Sequence, residues 1–154
     1  MTPTQSPSPG LKAPIAQKAP AHVAGALPAV DHSVLDRLKQ ELEDDAGYTP
    51  VFVANFIHGL PRRVERLRVA LVSGDLAGSF DAVLSLKTSS QMVGAEQLAS
   101  LAQQVETGLR RDAAAADLAV ALPQLAATFL APITRCSGET VHSLTSRYPS
   151  TLRS

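Results

Sequence analysis

The sequence predicts an all-α protein, an up-and-down antiparallel four-helix bundle with an extra short N-terminal helix. Apolar residues make up 45 % of the chain and are mostly Ala and Leu, whereas aromatic residues make up only 4 %. This composition favours helices over strands. Apolar residues also recur at three- and four-residue spacing in long segments that short links join, as in antiparallel bundles. A chain of 154 residues is long enough for one domain with a substantial core.

Composition divides the chain into three parts. Residues 1–30 hold six of the eleven prolines, two lysines and no acidic residue. They carry too little apolar surface to offset the entropy of ordering them, which predicts a disordered tail. A tethered docking peptide is the functional alternative for this segment. Residues 31–148 carry the helical pattern, and residues 149–154 form a short second tail.

Capping signals place the starts of the first two helices. Asp31 or Ser33 is expected to cap a short helix that ends near Asp45. Thr49 is expected to cap a second helix, with Pro50 at its first helical position. That helix carries a regular apolar stripe, which consists of Val53, Phe56, Ile57, Leu60, Val64, Leu67 and Leu71.

The second and third helices meet at a tight link. Pro61 lies inside the second helix and is expected to kink it, because its ring displaces the carbonyl four residues back. Gly74 is suited to a left-handed helix end, and Asp75 to the cap of the next helix. The third helix is predicted over residues 76–93, with every third or fourth residue apolar or small.

Two further helices follow the third. One is predicted over residues 96–111, and the last is predicted to begin at Asp112 and to lose its pattern after Ser137. Two prolines inside the last helix are expected to bend or shorten it. Its segment Leu118–Thr134 is uncharged but short for a bilayer span of about 20 residues, which indicates a core helix.

Charge and cysteine usage exclude several classes of function. Fourteen basic and fourteen acidic residues give zero net charge, and no basic patch is interleaved with aromatics, so nucleic-acid binding is not expected. The single Cys136 excludes an internal disulfide and a cysteine-rich metal site. No two histidines have metal-ligand spacing, so we expect no metal and no cofactor. The N-terminus lacks a signal peptide pattern, and we expect a cytoplasmic protein without membrane contact.

The motif that carries most information lies in the third helix. Its segment Leu84–Ser90 reads Leu-Ser-Leu-Lys-Thr-Ser-Ser, and Gly94 and Ala95 follow it. This segment resembles the His-x-Leu-Lys-Gly-Ser-Ser-x-x-x-Gly-Ala pattern of the histidine-containing phosphotransfer (HPt) domain family. Six residues match this pattern: Leu86, Lys87, Ser89, Ser90, Gly94 and Ala95. Leu84 occupies the histidine position, and Thr88 occupies the glycine position.

The resemblance covers roughly Val34 to Ile133 and implies a four-helix bundle in a phosphorelay, with a receiver domain or a sensor kinase as partner. In the family, the histidine carries the phosphoryl group and the lysine attracts it, so Lys87 would be the phosphate-facing cation. Leu84 offers no nucleophile, and a nearby hydroxyl would need an adjacent base for activation. Thr88 also places a branched side chain where the family's glycine lets the receiver approach.

We therefore interpret the chain as a degenerate HPt domain, not an enzyme, that binds a partner without accepting phosphate. If Val83, Leu86 and Ser90 point inward, an outward stripe forms on the third helix. An apolar centre with a polar rim is typical of protein interfaces. The predicted contact residues are Leu84, Lys87, Thr88 and Gln91, with Arg62, Arg63 and Arg66 as a basic rim. The alternative for the arginines is a solvated helix face.

Other functions stay open at this point. An unaligned histidine, His58 or His142, could accept the phosphoryl group instead. Antiparallel pairing about Gly74 places residues near Glu65 opposite Leu84, roughly two turns from His58. A receiver phosphatase in which Gln91 orients water is another alternative, and a structural bundle unrelated to signalling is the last. The sequence leaves the oligomeric state open.

Overall fold

The computed structural model describes residues 27–42 and 47–149, and the described residues form five helices without a strand. This confirms the predicted all-α class and the extra N-terminal helix. The helices are α1 (His32–Leu42), α2 (Tyr48–Val72), α3 (Leu76–Met92), α4 (Glu96–Asp112) and α5 (Leu118–Arg147).

The four long helices form an antiparallel ring. Helix α3 packs against α2 and α4, and α5 packs against the same two helices, so α3 and α5 lie diagonally across the bundle. The core consists of the apolar stripes that the sequence predicts. Its largest fully buried side chains include Leu60, Leu67, Leu71, Val83, Leu86, Leu98, Leu109, Leu122 and Ile133.

The link between α2 and α3 has the predicted geometry. Gly74 adopts a φ of 75°, the left-handed conformation that ends α2. The Asp75 carboxylate accepts a hydrogen bond from the amide of Gly78 at 2.9 Å, so Asp75 caps α3 as expected. This cap sets where α3 begins and therefore which of its residues face the solvent.

Two predicted helix starts are wrong. Helix α2 begins at Tyr48 after Gly47, whose φ is 79°, so Thr49 is a buried residue of the first turn rather than the cap. Helix α5 begins at Leu118 with Asp117 as its cap, because Asp112 still belongs to α4. The two true starts differ in kind: Gly47 precedes α2 in a left-handed conformation without a side-chain cap, whereas the Asp117 carboxylate accepts a hydrogen bond from the amide of Ala119.

Helix α5 is also longer than predicted. It is one continuous helix through Pro123 and Pro132 as far as Arg147. Its last part buries Cys136, Thr140 and Leu144. Cys136 and Thr140 are small or polar and therefore weaken the hydropathy pattern, which explains why the sequence shows no clear helix after Ser137.

By length and composition α5 is the one described helix that could span a membrane. Only 22 % of its most apolar window is buried, because the outward face carries alanines such as Ala127 and Ala131. Leu122 and Leu125 of α5 are buried in the bundle. Helix α5 thus contributes apolar side chains to the core of the bundle, while most of its apolar window is not buried.

The N-terminal segment lies across the end of the bundle where α3 meets α4. The amide of Asp31 donates to the carbonyl of Gly94 at 2.6 Å, and Val30 is buried in the core. His32 is hydrogen bonded to Ser143 of α5 at 3.2 Å. Val30, the last residue of the predicted tail, is therefore packed against the bundle. Residues 1–26, which form most of the predicted tail, lie outside the described residues.

Candidate functional site

Helix α3 has the two faces that the sequence predicts. Val83, Leu86 and Ser90 are buried, whereas Leu84, Thr88 and Gln91 are exposed. Leu84 is 40 % exposed, so its hydrocarbon side chain lies on the outward surface of α3, as the periodicity predicts. We call the surface of Leu84, Lys87, Thr88 and Gln91 the Leu84 face.

Helix α2 borders the Leu84 face on one side. Arg63 Nε donates to Ser85 Oγ at 3.4 Å, which places its guanidinium beside Leu84. Arg66 lines a shallow cavity with Asp81, one turn before Leu84. Arg62 is exposed on α2. Two of the three predicted arginines, Arg63 and Arg66, thus lie next to α3 at the level of Leu84, in agreement with the predicted antiparallel pairing.

Helix α4 borders the same face on the other side through an ionic network. Lys87 Nζ lies 2.6 Å from Glu106 Oε1, and Arg110 binds the second carboxylate oxygen of Glu106. The Arg110 guanidinium also lies 6.0 Å from the centre of the Phe80 ring, within the range of a cation–π contact. The network therefore joins α3 to α4 along the edge of the Leu84 face.

Lys87 does not project freely toward the solvent as a phosphate-facing cation should. Its side chain is only 20 % exposed, and the Glu106 side chain is 6 % exposed. The hydrogen bond from Lys87, followed by that from Arg110, lowers the pKa of Glu106 below its ordinary value of 4.5. Glu106 is therefore ionised at neutral pH and offsets the positive charge of Lys87.

The Glu106 carboxylate should contribute to stability in a pH-dependent way. Because its pKa is lower in the folded state, this stabilisation is complete above the unfolded value of 4.5 and is lost as the pH falls through the folded value. We expect Glu106→Gln to lower the free energy of unfolding at pH 7 by about 1–3 kcal/mol, since Lys87 loses its ionic partner. Urea titrations between pH 3 and 7 should show a flatter pH dependence for the variant.

Glu65→Gln is the matched control for this measurement. Glu65 also pairs with an arginine, Arg68, but both side chains are about half exposed. Exposed pairs of this kind contribute little because water screens them. Equal effects of the two substitutions would contradict a structural role of the buried Glu106.

No described histidine approaches the Leu84 face. His58 is exposed on α2, and the pairing of Arg63 with Ser85 places it more than one turn along the bundle from Leu84. His142 is exposed on α5, the helix diagonal to α3. His32 is held on α1 by Ser143 at the end of the bundle, where burial lowers its pKa.

Other functional groups are placed as follows. Gln91 is exposed on α3, two turns beyond Leu84. In residues 27–42 and 47–149, no three His, Cys, Asp or Glu side chains come together as a metal site would require. Cys136 is buried, and burial raises the pKa of its thiol, so it is not an activated nucleophile.

Sequence reasoning missed the Glu106 network. A signal for it was present, because Glu106 lies directly after Val105, inside the buried stripe of α4. A carboxylate at a core-facing edge needs a cation, since an unpaired buried charge is costly. The lysine of the motif is the nearest candidate on the neighbouring helix.

The comparisons with known proteins agree with this architecture. The family model described as Hpt domain matches residues 51–131, which is more than half of the 154-residue chain. The comparisons with curated proteins and with solved structures gave no match. The match covers α2 except its first three residues, all of α3 and α4, and the first part of α5, including the Leu84 face. With this match and the four-helix ring, the chain belongs to the Hpt domain family of phosphorelay modules.

Proposed function

We propose that this Hpt domain is a non-catalytic interaction module that binds the receiver domain of a response regulator through the Leu84 face. The observation that carries the proposal is the exposed Leu84 side chain at the position where the family pattern has its phosphoaccepting histidine. The Leu84 side chain consists only of carbon and hydrogen, so it has no lone pair with which to attack a phosphoryl group. A cytoplasmic location and the absence of enzymatic activity belong to the same proposal.

The neighbouring hydroxyls do not replace the missing imidazole. Ser85 Oγ accepts a hydrogen bond from Arg63, and Ser89 Oγ donates to the Ser85 carbonyl at 2.7 Å. Ser90 is buried. A serine or threonine needs a base within hydrogen-bond reach to become a nucleophile at neutral pH. The hydrogen-bond partner of Ser85 Oγ is the Arg63 guanidinium, which cannot take up a proton.

The same surface has the properties of a docking site. Leu84 supplies an apolar centre, and Arg63 beside Ser85 supplies positive charge on one side of it. Arg66 shares its cavity with the carboxylates of Glu65, Asp75 and Asp81. Interfaces commonly combine an apolar centre with a polar rim. A receiver domain with acidic groups around its phosphorylation site is complementary to this rim, and charge complementarity speeds the encounter.

The test is a binding titration with receiver domains from the same genome, measured by isothermal calorimetry. We expect Leu84→Glu to weaken binding at least about thirtyfold, because it places a carboxylate at the centre of the interface. Val120→Glu is the matched control: Val120 is 53 % exposed on α5, the helix diagonal to α3, and its replacement should leave binding unchanged.

Unchanged binding of Leu84→Glu would remove the Leu84 face as the docking site. The phosphotransfer alternative is tested with a radiolabelled receiver. A phosphorylated chain whose label disappears in His58→Gln or His142→Gln would show transfer through an unaligned histidine and overturn the non-catalytic proposal.

A further inference from the structure

An aromatic ring and an arginine lie on the α4 side of the Leu84 face. Phe80 precedes Leu84 by four residues, which is roughly 6 Å along α3, so the two side chains are neighbours on the helix surface. Phe80 is partly buried against the core, and the Arg110 guanidinium lies 6.0 Å from the centre of its ring. The apolar centre therefore has an arginine on the α4 side, in addition to Arg63 on the α2 side.

Arg110 is held in place although it is exposed. Its side chain is 68 % exposed. Glu106, one turn earlier on α4, accepts a hydrogen bond from Arg110 Nη2, and the Phe80 ring lies against the same guanidinium. The ordering of a long side chain on binding costs conformational entropy. This cost is reduced for Arg110, because the folded chain already restrains its guanidinium.

The α4 side of the Leu84 face carries an unbalanced positive charge. Lys87 and Arg110 both bind Glu106, so one carboxylate faces two cations. Lys87 is only 20 % exposed, which leaves Arg110 as the cation that a partner can reach. In residues 27–42 and 47–149, the side-chain hydrogen bonds of Arg110 use Nη2 alone. The N–H groups of Nε and Nη1 are therefore available to an acceptor on a partner.

We propose that the partner-binding surface extends from Leu84 onto α4, where Arg110 binds a surface carboxylate of the receiver domain. This inference rests on the proposed function, because it concerns the same interface. Arg63 and Arg110 then flank the apolar centre on its two sides, and acidic groups of the receiver meet positive charge on both. Arginines beside an apolar anchor often contribute much of the binding energy of an interface.

Arg111 is the matched control for Arg110. It is the next residue on α4, carries the same charge and is 67 % exposed. Successive residues of a helix point about 100° apart. A Cβ atom at Gly108 would lie 3.5 Å from Arg111 Nη2 and 2.7 Å from a side-chain carbon of Leu125. Arg111 therefore lies on the α5 side of α4, away from the Leu84 face.

The experiment is a calorimetric titration of the full chain with the receiver domain that the wild type binds, at low and at high salt. We expect Arg110→Gln to raise Kd about tenfold at low salt and less at high salt, because salt screens charges near the surface. Arg111→Gln should change Kd less than about twofold.

Arg110→Lys separates the contact from the network around Glu106. It keeps the positive charge and the ion pair with Glu106, but an ammonium group lacks the planar fork of a guanidinium. We expect it to raise Kd by about threefold while the dependence on salt stays as in the wild type. Thermal unfolding followed by circular dichroism verifies that each variant is folded at the temperature of the titration.

The possible failures of this inference and of the proposed function differ. Wild-type affinity in Arg110→Gln, together with weak binding by Leu84→Glu, would overturn the extension onto α4 and leave the proposed function standing. Equal losses in Arg110→Gln and Arg111→Gln would indicate an effect of net charge and would overturn the extension as well. A wild-type chain that binds no receiver domain would remove the proposed function and this inference together.

Discussion

The double variant Leu84→His/Thr88→Gly is expected to accept a phosphoryl group from a phosphorylated receiver domain, whereas the wild-type chain is expected to remain unlabelled. In the reaction the imidazole nitrogen forms a bond to phosphorus, and the bond from phosphorus to the receiver's aspartate oxygen breaks. The label on the double variant should exceed the wild-type background by at least about tenfold, because imidazole is a free nucleophile at neutral pH.

Each substitution has a separate purpose. Leu84→His restores a nucleophile at a position that the structure already exposes to solvent. Thr88→Gly removes a branched side chain one turn further along the same face, where the partner must come close. Thr88→Gly also lowers helix stability by about 1 kcal/mol, so circular dichroism must accompany the assay.

The environment of Lys87 limits how fast the double variant can accept a phosphoryl group. Its ammonium group is paired with Glu106, so it offers less attraction to a phosphoryl group than a free lysine. Adding Glu106→Gln to the double variant should therefore raise the rate of labelling further. Equal labelling of wild type and double variant would contradict the view that Leu84 prevents transfer. A double variant that binds the receiver but stays unlabelled would show that the face has lost more than its histidine.

Much of this fold follows from local signals in the sequence. The apolar stripes predict α2, α3 and α4, and the Gly74 and Asp75 signals correctly fix the link before α3. The exposure of Leu84 follows from the same periodicity, because a residue opposite to Val83 and Leu86 must point outward. Periodicity succeeds where one face of a helix is clearly apolar.

The features that the sequence did not predict depend on contacts between distant residues. The pairing of Lys87 with Glu106 joins two helices, and the packing of Asp31 against Gly94 joins the N-terminal segment to the turn between α3 and α4. Local patterns carry no direct information about such contacts. The start of α2 was misplaced for a related reason, since Thr49 is recognisable as a cap by type but is buried by tertiary packing.

Gly94 offers the largest expected effect on stability. Its φ is 77°, a conformation that side chains disfavour, and a Cβ atom there would lie only 2.4 Å from the Asp31 carbonyl oxygen and 3.0 Å from Val34 Cβ. We expect Gly94→Ala to lower the free energy of unfolding by about 2–5 kcal/mol, the sum of backbone strain and steric overlap. Urea denaturation followed by circular dichroism measures this loss.

Gly47→Ala separates the two contributions. Gly47 has nearly the same φ, 79°, but a Cβ atom there meets nothing within 4 Å, so only the strain of about 1–2 kcal/mol should appear. The additional loss of unfolding free energy in Gly94→Ala, compared with Gly47→Ala, then measures the cost of the close contact with the N-terminal segment. Hydrogen exchange should show the loss of protection mainly in α1, because the substituted side chain displaces that helix from the bundle. Equal destabilisation by both substitutions would mean that Gly94 is needed only for its backbone conformation and does not anchor α1.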